Sequence, residues 1–414
     1  LRLFLYELKK IWNWRVLILI AGFAVLIWFS ILKGNMETYR TVSDYGGNFG
    51  PYQREMFEKY GPTLEPEELA DYDIAGKMAA LENELDAWIA KDPLFVQNGI
   101  STYAGYENFR DQNRDSMDEK ERAAFDEITM QMDIKLSLDD LWNDPKKRFA
   151  SPYIRMTMLG NLNATYTDYE RNIGYYLMYE KHPVLIEAAR QVLAKHNNSL
   201  VPDNLGGVVS GHFTVVGVSV ILATLLLVSP SLNRDRARGI HLLQYSSAAG
   251  RRILWMQWAA VWVSACVFSL IAVAVSAVPL LTADISDYAG VSMLFMVNGS
   301  IAIPYEITFA QYALLLVGMS MLLSIAAACF AFVLAKFSSN IMAAVLKIVP
   351  LGLAFWALYL FAISGALEYY NPLFDRILHG RVAMPEVMLC GALAAVGMLT
   401  AGIVVKREKR ADIL

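Results

Sequence analysis

The sequence predicts an all-α integral membrane protein: six transmembrane helices, an N-terminal interfacial helix, and a mainly helical extracytoplasmic domain between the first two spans. Three observations predict it. The 414 residues are 56% hydrophobic and 18% charged, with a mean hydropathy of +0.35, against about 45–50% apolar and about 25% charged in soluble chains. The apolar residues gather into six uncharged runs, 16–32, 213–233, 253–283, 307–335, 348–367 and 387–405. Each is near or above the ~20 residues that cross a ~30 Å hydrocarbon core. The net charge of −4 hides two opposite parts: residues 34–211 carry 30 acids and 18 bases, net −12, and everything else is net +8. A soluble enzyme, a disordered chain and a disulfide-stapled secreted domain are thereby excluded.

Residues 1–14 open the chain. Leu1, Phe4, Leu5, Leu8, Ile11 and Trp12 recur at helical spacing, with Glu7, Lys9 and Lys10 elsewhere. That pattern describes a helix lying in the interface, and an amphipathic extension of the first span fits the same spacing. The first span is 15–33. It is expected to remain as an anchor, because Glu7 precedes it and no small-residue cleavage site follows Ile31-Leu32-Lys33.

The extracytoplasmic domain is 34–211. Pro66 to Lys91 reads as one helix, with Pro66 in its first turn. Ser116 followed by Glu119 is a capping-box signal for a helix to about Lys135, and 167–196 is a helical pattern interrupted by Pro183. Tyr103, Tyr106 and Phe109 read as residues of a small core. The acid pairs Glu67-Glu68 and Asp139-Asp140 read as solvated surface. A net −12 surface repels phosphate, so no nucleic-acid partner is expected.

Further spans are expected at 212–232, 254–281, 311–336, 341–365 and 386–405. Between them lie a cytoplasmic loop at 233–253, an extracytoplasmic loop at 282–310, and an extracytoplasmic loop or re-entrant helix at 366–385. A cytoplasmic tail occupies 406–414. Lysine and arginine counts orient the frame. Arg2, Lys9, Lys10 and Arg15 flank the first span. Arg234, Arg236, Arg238, Arg251 and Arg252 follow the second, and Lys406, Arg407, Lys409 and Arg410 follow the last, whereas 282–310 has no base. Both termini are therefore expected in the cytoplasm. Residues 288–305 are also uncharged, but counting them as a seventh span would move the C-terminal bases outside. They read as a loop leaning on the membrane surface.

Signatures of enzymatic chemistry are missing. The sequence has no G-x-x-x-x-G-K-[ST], no H-E-x-x-H and no G-x-S-x-G. Cys266, Cys329 and Cys390 all fall in spans and read as buried small hydrophobes. No catalytic residue, cofactor site or metal site is expected in this chain. Lys347 is the one charge read as lying within a span. A long side chain snorkelling to the interface explains it, with a place on a transport pathway as the alternative. Trp255, Trp258 and Trp262 read as interfacial aromatics on one face of the third span.

The most informative segment is PSLNRDRARGIHLLQYSSAAGRRILWMQW, residues 230–258. It resembles the first cytoplasmic loop of type-2 ABC exporter permeases, which runs acid, glycine, leucine pair, serine, Gly-Arg, then a lysine in the next helix. The matching residues are Asp235, Gly239, Leu242-Leu243, Ser246-Ser247, Gly250-Arg251 and, at the last position, Gln257. Asp235 stands where glutamate is usual, and Gln257 where lysine is usual. Tyr6-Glu7-Leu8-Lys9-Lys10 resembles that family's N-terminal elbow helix. Residues Tyr52-Gln53-Arg54 through Tyr60-Gly61-Pro62-Thr63 and Pro66-Glu67-Glu68-Leu69 resemble permeases of Firmicutes.

The resemblance implies a type V ABC exporter-like fold in a bacterial plasma membrane, with this chain as the permease subunit. It implies cytosolic ABC ATPase subunits carrying the ATP and Mg, docked through Asp235, Arg236, Gly239, Leu242, Leu243, Gly250, Arg251 and Arg252. It also implies a second permease, the same or a homologous chain, within the lipid bilayer. A membrane receptor binding an extracellular ligand through 34–211 is the alternative. A secondary transporter is disfavoured, because the spans are read as holding no carboxylate.

Overall fold

The computed structural model describes residues 2–45, 47–111, 117–138, 144–202, 205–237, 248–294, 303–338, 340–363, 367 and 382–410. Among them, regular structure is helical and β-pairing is confined to isolated bridges.

Helix α1 (Arg2–Ile11) turns sharply into α2 (Trp14–Ile27), which Asn13 caps by accepting from the Arg15 amide at 3.0 Å. Through one π-helical turn, Trp28–Leu32, α2 continues into α3 (Lys33–Tyr45). The first candidate span, Trp14–Thr41, thus carries on past 33 as helix. No proline interrupts it, no left-handed glycine occurs before Gly47, and Lys33 pairs with Glu37 one turn on at 3.5 Å. The return of charge at 33 marks a change of surroundings, not of backbone.

The inserted domain is a set of short helices: α4 (Pro51–Tyr60), α5 (Pro66–Tyr72), α6 (Ile74–Ile89), α7 (Pro93–Gln97) and α8 (Tyr103–Arg110), then α9 (Glu119–Ser137), α10 (Pro145–Arg148), α11 (Pro152–Tyr166), α12 (Tyr169–Tyr179) and α13 (Pro183–Ala194). Proline opens six of them, where its fixed φ suits a first turn and its missing N–H costs nothing. Two sequence expectations need correction. The helix read over Pro66–Lys91 is two helices, because Asp73 takes the left-handed conformation (φ 49°) and caps α6 by accepting from the Gly76 amide at 3.1 Å. Aspartate is among the residues that tolerate this conformation, through local side-chain bonds. Helix α9 is capped by Asp118, whose box partner is Glu121, rather than by the Ser116–Glu119 pair. Ser116 lies outside the described residues, as do Asp139 and Asp140.

Two of the domain's cores share α6. Its Ile74 and Leu81 join Phe49, Met56, Leu159 and Tyr166; its Leu85 and Ile89 join Phe95, Tyr106, Met132 and Leu136. Tyr106 is fully buried, with Tyr103 and Phe109 packed around its cluster. Its hydroxyl donates to Asp133, so the phenol brings its own acceptor inside.

The apolar bundle comprises α14 (Leu205–Ala237), α15 (Ala248–Leu281), α16 (Phe309–Lys336), α17 (Ile341–Leu358) with a π-helical turn at Tyr359–Ile363, and α18 (Pro385–Arg410). Among the described residues, five helices are long and apolar enough to cross a membrane: Trp14–Thr41, Leu205–Ser231, Arg252–Leu281, Phe309–Lys336 and Pro385–Arg410. Met342–Leu358 is apolar but shorter. This is the build of an all-helical multi-pass membrane protein. Helix α16 is its axis: 56% of its apolar stretch is buried inside the protein, against 6% for the first span. Small residues let neighbours approach it. At Gly397 of α18 an added Cβ would lie 3.3 Å from the Ala326 Cα, the Ala326 carbonyl oxygen and the Cys329 Cβ.

Residues 282–308 join the bundle to the inserted domain. A 3₁₀ helix, Ile285–Gly290, leads into bridges Ser292–Thr308 and Leu294–Ile303. The described part of this loop does not lean outward: Val291, Met293 and Ile303 are buried in the bundle core, and Leu294 packs with α12 and α13. Its apolar residues are covered by protein on both sides, which is why a hydropathy count mistakes them for a membrane-seeking stretch. Arg54 donates to Glu58 (2.9 Å) and to Asp284 (3.2 Å), the tilted rings of Phe57 and Tyr288 lie 4.4 Å apart between centres, and Lys195 pairs with Glu306. These contacts hold the Arg54 guanidinium even more firmly protonated, the Glu58 bond first. Burial pushes the Tyr288 hydroxyl up to about 12.

Candidate functional site

Those residues singled out by the sequence that are described lie at one end of the bundle. Asp235 and Arg236 lie in the last turn of α14, beyond its apolar stretch, and Gly250, Arg251 and Arg252 lie in the first turns of α15. Gly239, Leu242 and Leu243 lie outside the described residues. Arg252 is exposed. Bases at the ends of apolar helices are what the positive-inside rule counts, and this pair of helices with the segment joining them carries five, at 234, 236, 238, 251 and 252.

Helix α1 docks beside this end. The Trp12 indole donates to Ser264 Oγ of α15 at 3.1 Å, and its ring meets Phe268 edge-on at 6.4 Å. Phe4, Leu8 and Ile11 join the core made by Leu254, Val261, Cys329 and Val405. The helical spacing thus identifies most of the packed face, with two exceptions. Leu5 is exposed, and Glu7, read as polar-face, is buried and paired with Lys10 at 2.7 Å. Glu7 precedes buried Ile11 by one turn, so packing of Ile11 carries the carboxylate inward with it. Tyr6 and Lys9 face outward, with the Lys10 ammonium 5.5 Å from the Tyr6 ring centre.

Two lysines lie at the same end of the bundle. Gln257, buried on α15, accepts from Lys336 Nζ in the last turn of α16 at 3.2 Å. Lys347 is exposed and donates to the Phe337 carbonyl at 2.8 Å, capping the C-terminal end of α16. Trp258 and Trp262 are only partly exposed and pack against the same core as α1, while Trp255 is the outer member of the stripe.

The spans drawn at 212–232 and 386–405 each begin on a titratable residue that the search for charges within spans passed over. His212 of α14 is fully buried, with Nε2 2.9 Å from the Ser276 carbonyl. Glu386, in the first turn of α18, is fully buried too. The statement that the spans hold no carboxylate is thereby corrected. Each of these residues sits one position before an uncharged run, at 213 and at 387, so a search for uncharged windows excludes them by construction. Extending each run by a helical turn recovers both.

Cys266, Cys329 and Cys390 are free thiols, the last two buried. Among the described residues, no group of three or more histidine, cysteine, aspartate or glutamate side chains is placed to hold a metal ion. What the geometry defines is a multi-pass helical membrane protein with a helical domain inserted after its first apolar helix. No protein-family model, curated protein or solved structure matches this chain.

Proposed function

We propose that this chain is the permease subunit of an ABC exporter, driven by ATP hydrolysis on separate cytosolic ATPase subunits. The observation that carries the reading is the cluster of bases in 230–258, with the amphipathic N-terminal helix docked on α15 beside it through Trp12 and Ser264. A docked partner presenting carboxylates fits that cluster, and the resemblance of 230–258 and 6–10 to exporter permeases names the partner's class. In this reading both termini face the cytoplasm of a bacterial cell and 34–211 lies outside. Helix α17 with its π turn, Ile341–Ile363, supplies a sixth span, since 18 plus 5 helical residues reach about 34 Å at 1.5 Å per residue. Two such chains, identical or homologous, complete one pathway.

The test is co-purification. The full chain, solubilised from cells expressing the genes beside it, is expected to retain a nucleotide-binding ATPase, and charge reversal at Arg251 and Arg252 to release it. Retention of a histidine kinase in the ATPase's place would favour the receptor reading. The helical continuity of α2 and α3 gives that alternative its support, because a ligand held by 34–211 would act directly on the first span.

A further inference from the structure

Met178 is the most exposed large apolar side chain among the described residues, at 76%, more open than the outward residues of the spans. Tyr175 and Tyr179 stand beside it on α12, 63% and 66% exposed, with their rings 4.9 Å apart. A solvated domain of net −12 has no folding reason to present two rings and a thioether together on one helix face.

Helix α12 stands near the end of the bundle at which α16 begins. Ile173, on the opposite side of α12, shares its core with Leu294 of the loop leading into α16. Lys195, just after α13, pairs with Glu306, two residues before Thr308 caps that candidate span. Arg171 lies one turn before Tyr175, and exposed Lys181 follows Tyr179. The neighbouring carboxylates are occupied, Asp168 by Arg171 at 2.6 Å and Glu180 by the Tyr176 hydroxyl at 2.6 Å. Tyrosine rings and long basic stems are the side chains that settle at headgroup level, ring inward and polar tip outward.

We propose that Tyr175, Met178 and Tyr179 rest in the headgroup layer of the leaflet on the domain's side of the membrane, a contact for the inserted domain beyond its chain connections to the bundle. Three side chains offer far less than the roughly 1,000 Å² a specific protein interface requires, so a lipid surface fits them and a second copy of the chain does not. The contact fixes the tilt of the domain over the bundle, and it does not depend on the transport reading.

The test is hydroxyl-radical footprinting of the full wild-type chain in lipid nanodiscs, read by mass spectrometry. Met130 of α9, 50% exposed, is the internal reference. Met178 is expected to form its sulfoxide about fivefold more slowly than Met130, the reverse of their exposure in the protein alone. Oxidation of Met178 as fast as Met130 or faster overturns the proposal. A Met178→Cys chain that forms disulfide-linked pairs in the nanodisc overturns it too, in favour of a second copy.

Discussion

The ring of Tyr359 lies directly on the backbone of Gly217, so close that an added Cβ would overlap the phenol. Tyr359 leaves the π-helical turn after α17 fully buried, donates its hydroxyl to the Phe213 carbonyl of α14 at 3.0 Å, and meets Ser320 Oγ of α16 at 2.9 Å. One side chain thus ties three helices at the bundle's centre. Gly217→Ala is expected to cost about 1–3 kcal/mol of stability by overpacking. Tyr359→Phe is expected to cost about 0.6 kcal/mol, because it loses only a hydroxyl. In a Tyr359→Ala background the Gly217→Ala change should cost almost nothing. Additive losses in a detergent melt would show that the two residues do not touch.

The Trp12–Ser264 bond makes a separate prediction about α1. Trp12→Phe keeps the ring and removes the donor; Ser264→Ala removes the acceptor. If the bond anchors the helix, the two changes together should cost about 0.5–1.5 kcal/mol less than their sum. A double-mutant cycle on thermal stability measures it, and a coupling near zero would mean that apolar packing alone holds α1.

Acid should loosen the corner formed by α12 and α13. Burial raises the Glu180 carboxyl, but the Tyr176 hydroxyl and the amides of His182 and Lys181 together outweigh it and hold the group below the ordinary glutamate range. A depressed carboxyl contributes stability above its unfolded pKa of about 4.3 and loses it as pH falls through the lower folded value. Hydrogen-exchange protection over 176–182 should therefore hold at neutral pH and fall severalfold below about pH 4.3. Glu180→Ala should lack this protection throughout. Unchanged protection in acid would remove Glu180 from the account.

Orientation is checked by labelling. Cysteines placed in 47–202 should react with an impermeant thiol reagent in intact cells, and cysteines at 234–237 or 406–410 should not. The motive is the basic excess flanking α2, α14, α15 and α18. Labelling near Lys406 from outside would reverse the C-terminal end and with it the even number of crossings.

The sequence by itself determined the apolar helices, the acidic domain between the first two, and most of the packed face of α1, because hydropathy, net charge and helical spacing are local sums that need no knowledge of neighbours. It also marked helix starts wherever proline stood in a first turn, as at Pro66 and Pro183. Only the tertiary structure decided which residues of a helix end are inside. Glu7, His212 and Glu386 are polar and stand at or beyond the edges of uncharged runs, yet packing of the apolar residues beside them carries all three into the interior. The loop at 282–308 was likewise undecidable from hydropathy, since burial in lipid and burial between two protein layers select the same side chains. The contact of Tyr359 with Gly217 spans 142 positions of sequence, and a close approach of that kind exists only once α14, α16 and α17 have closed on one another.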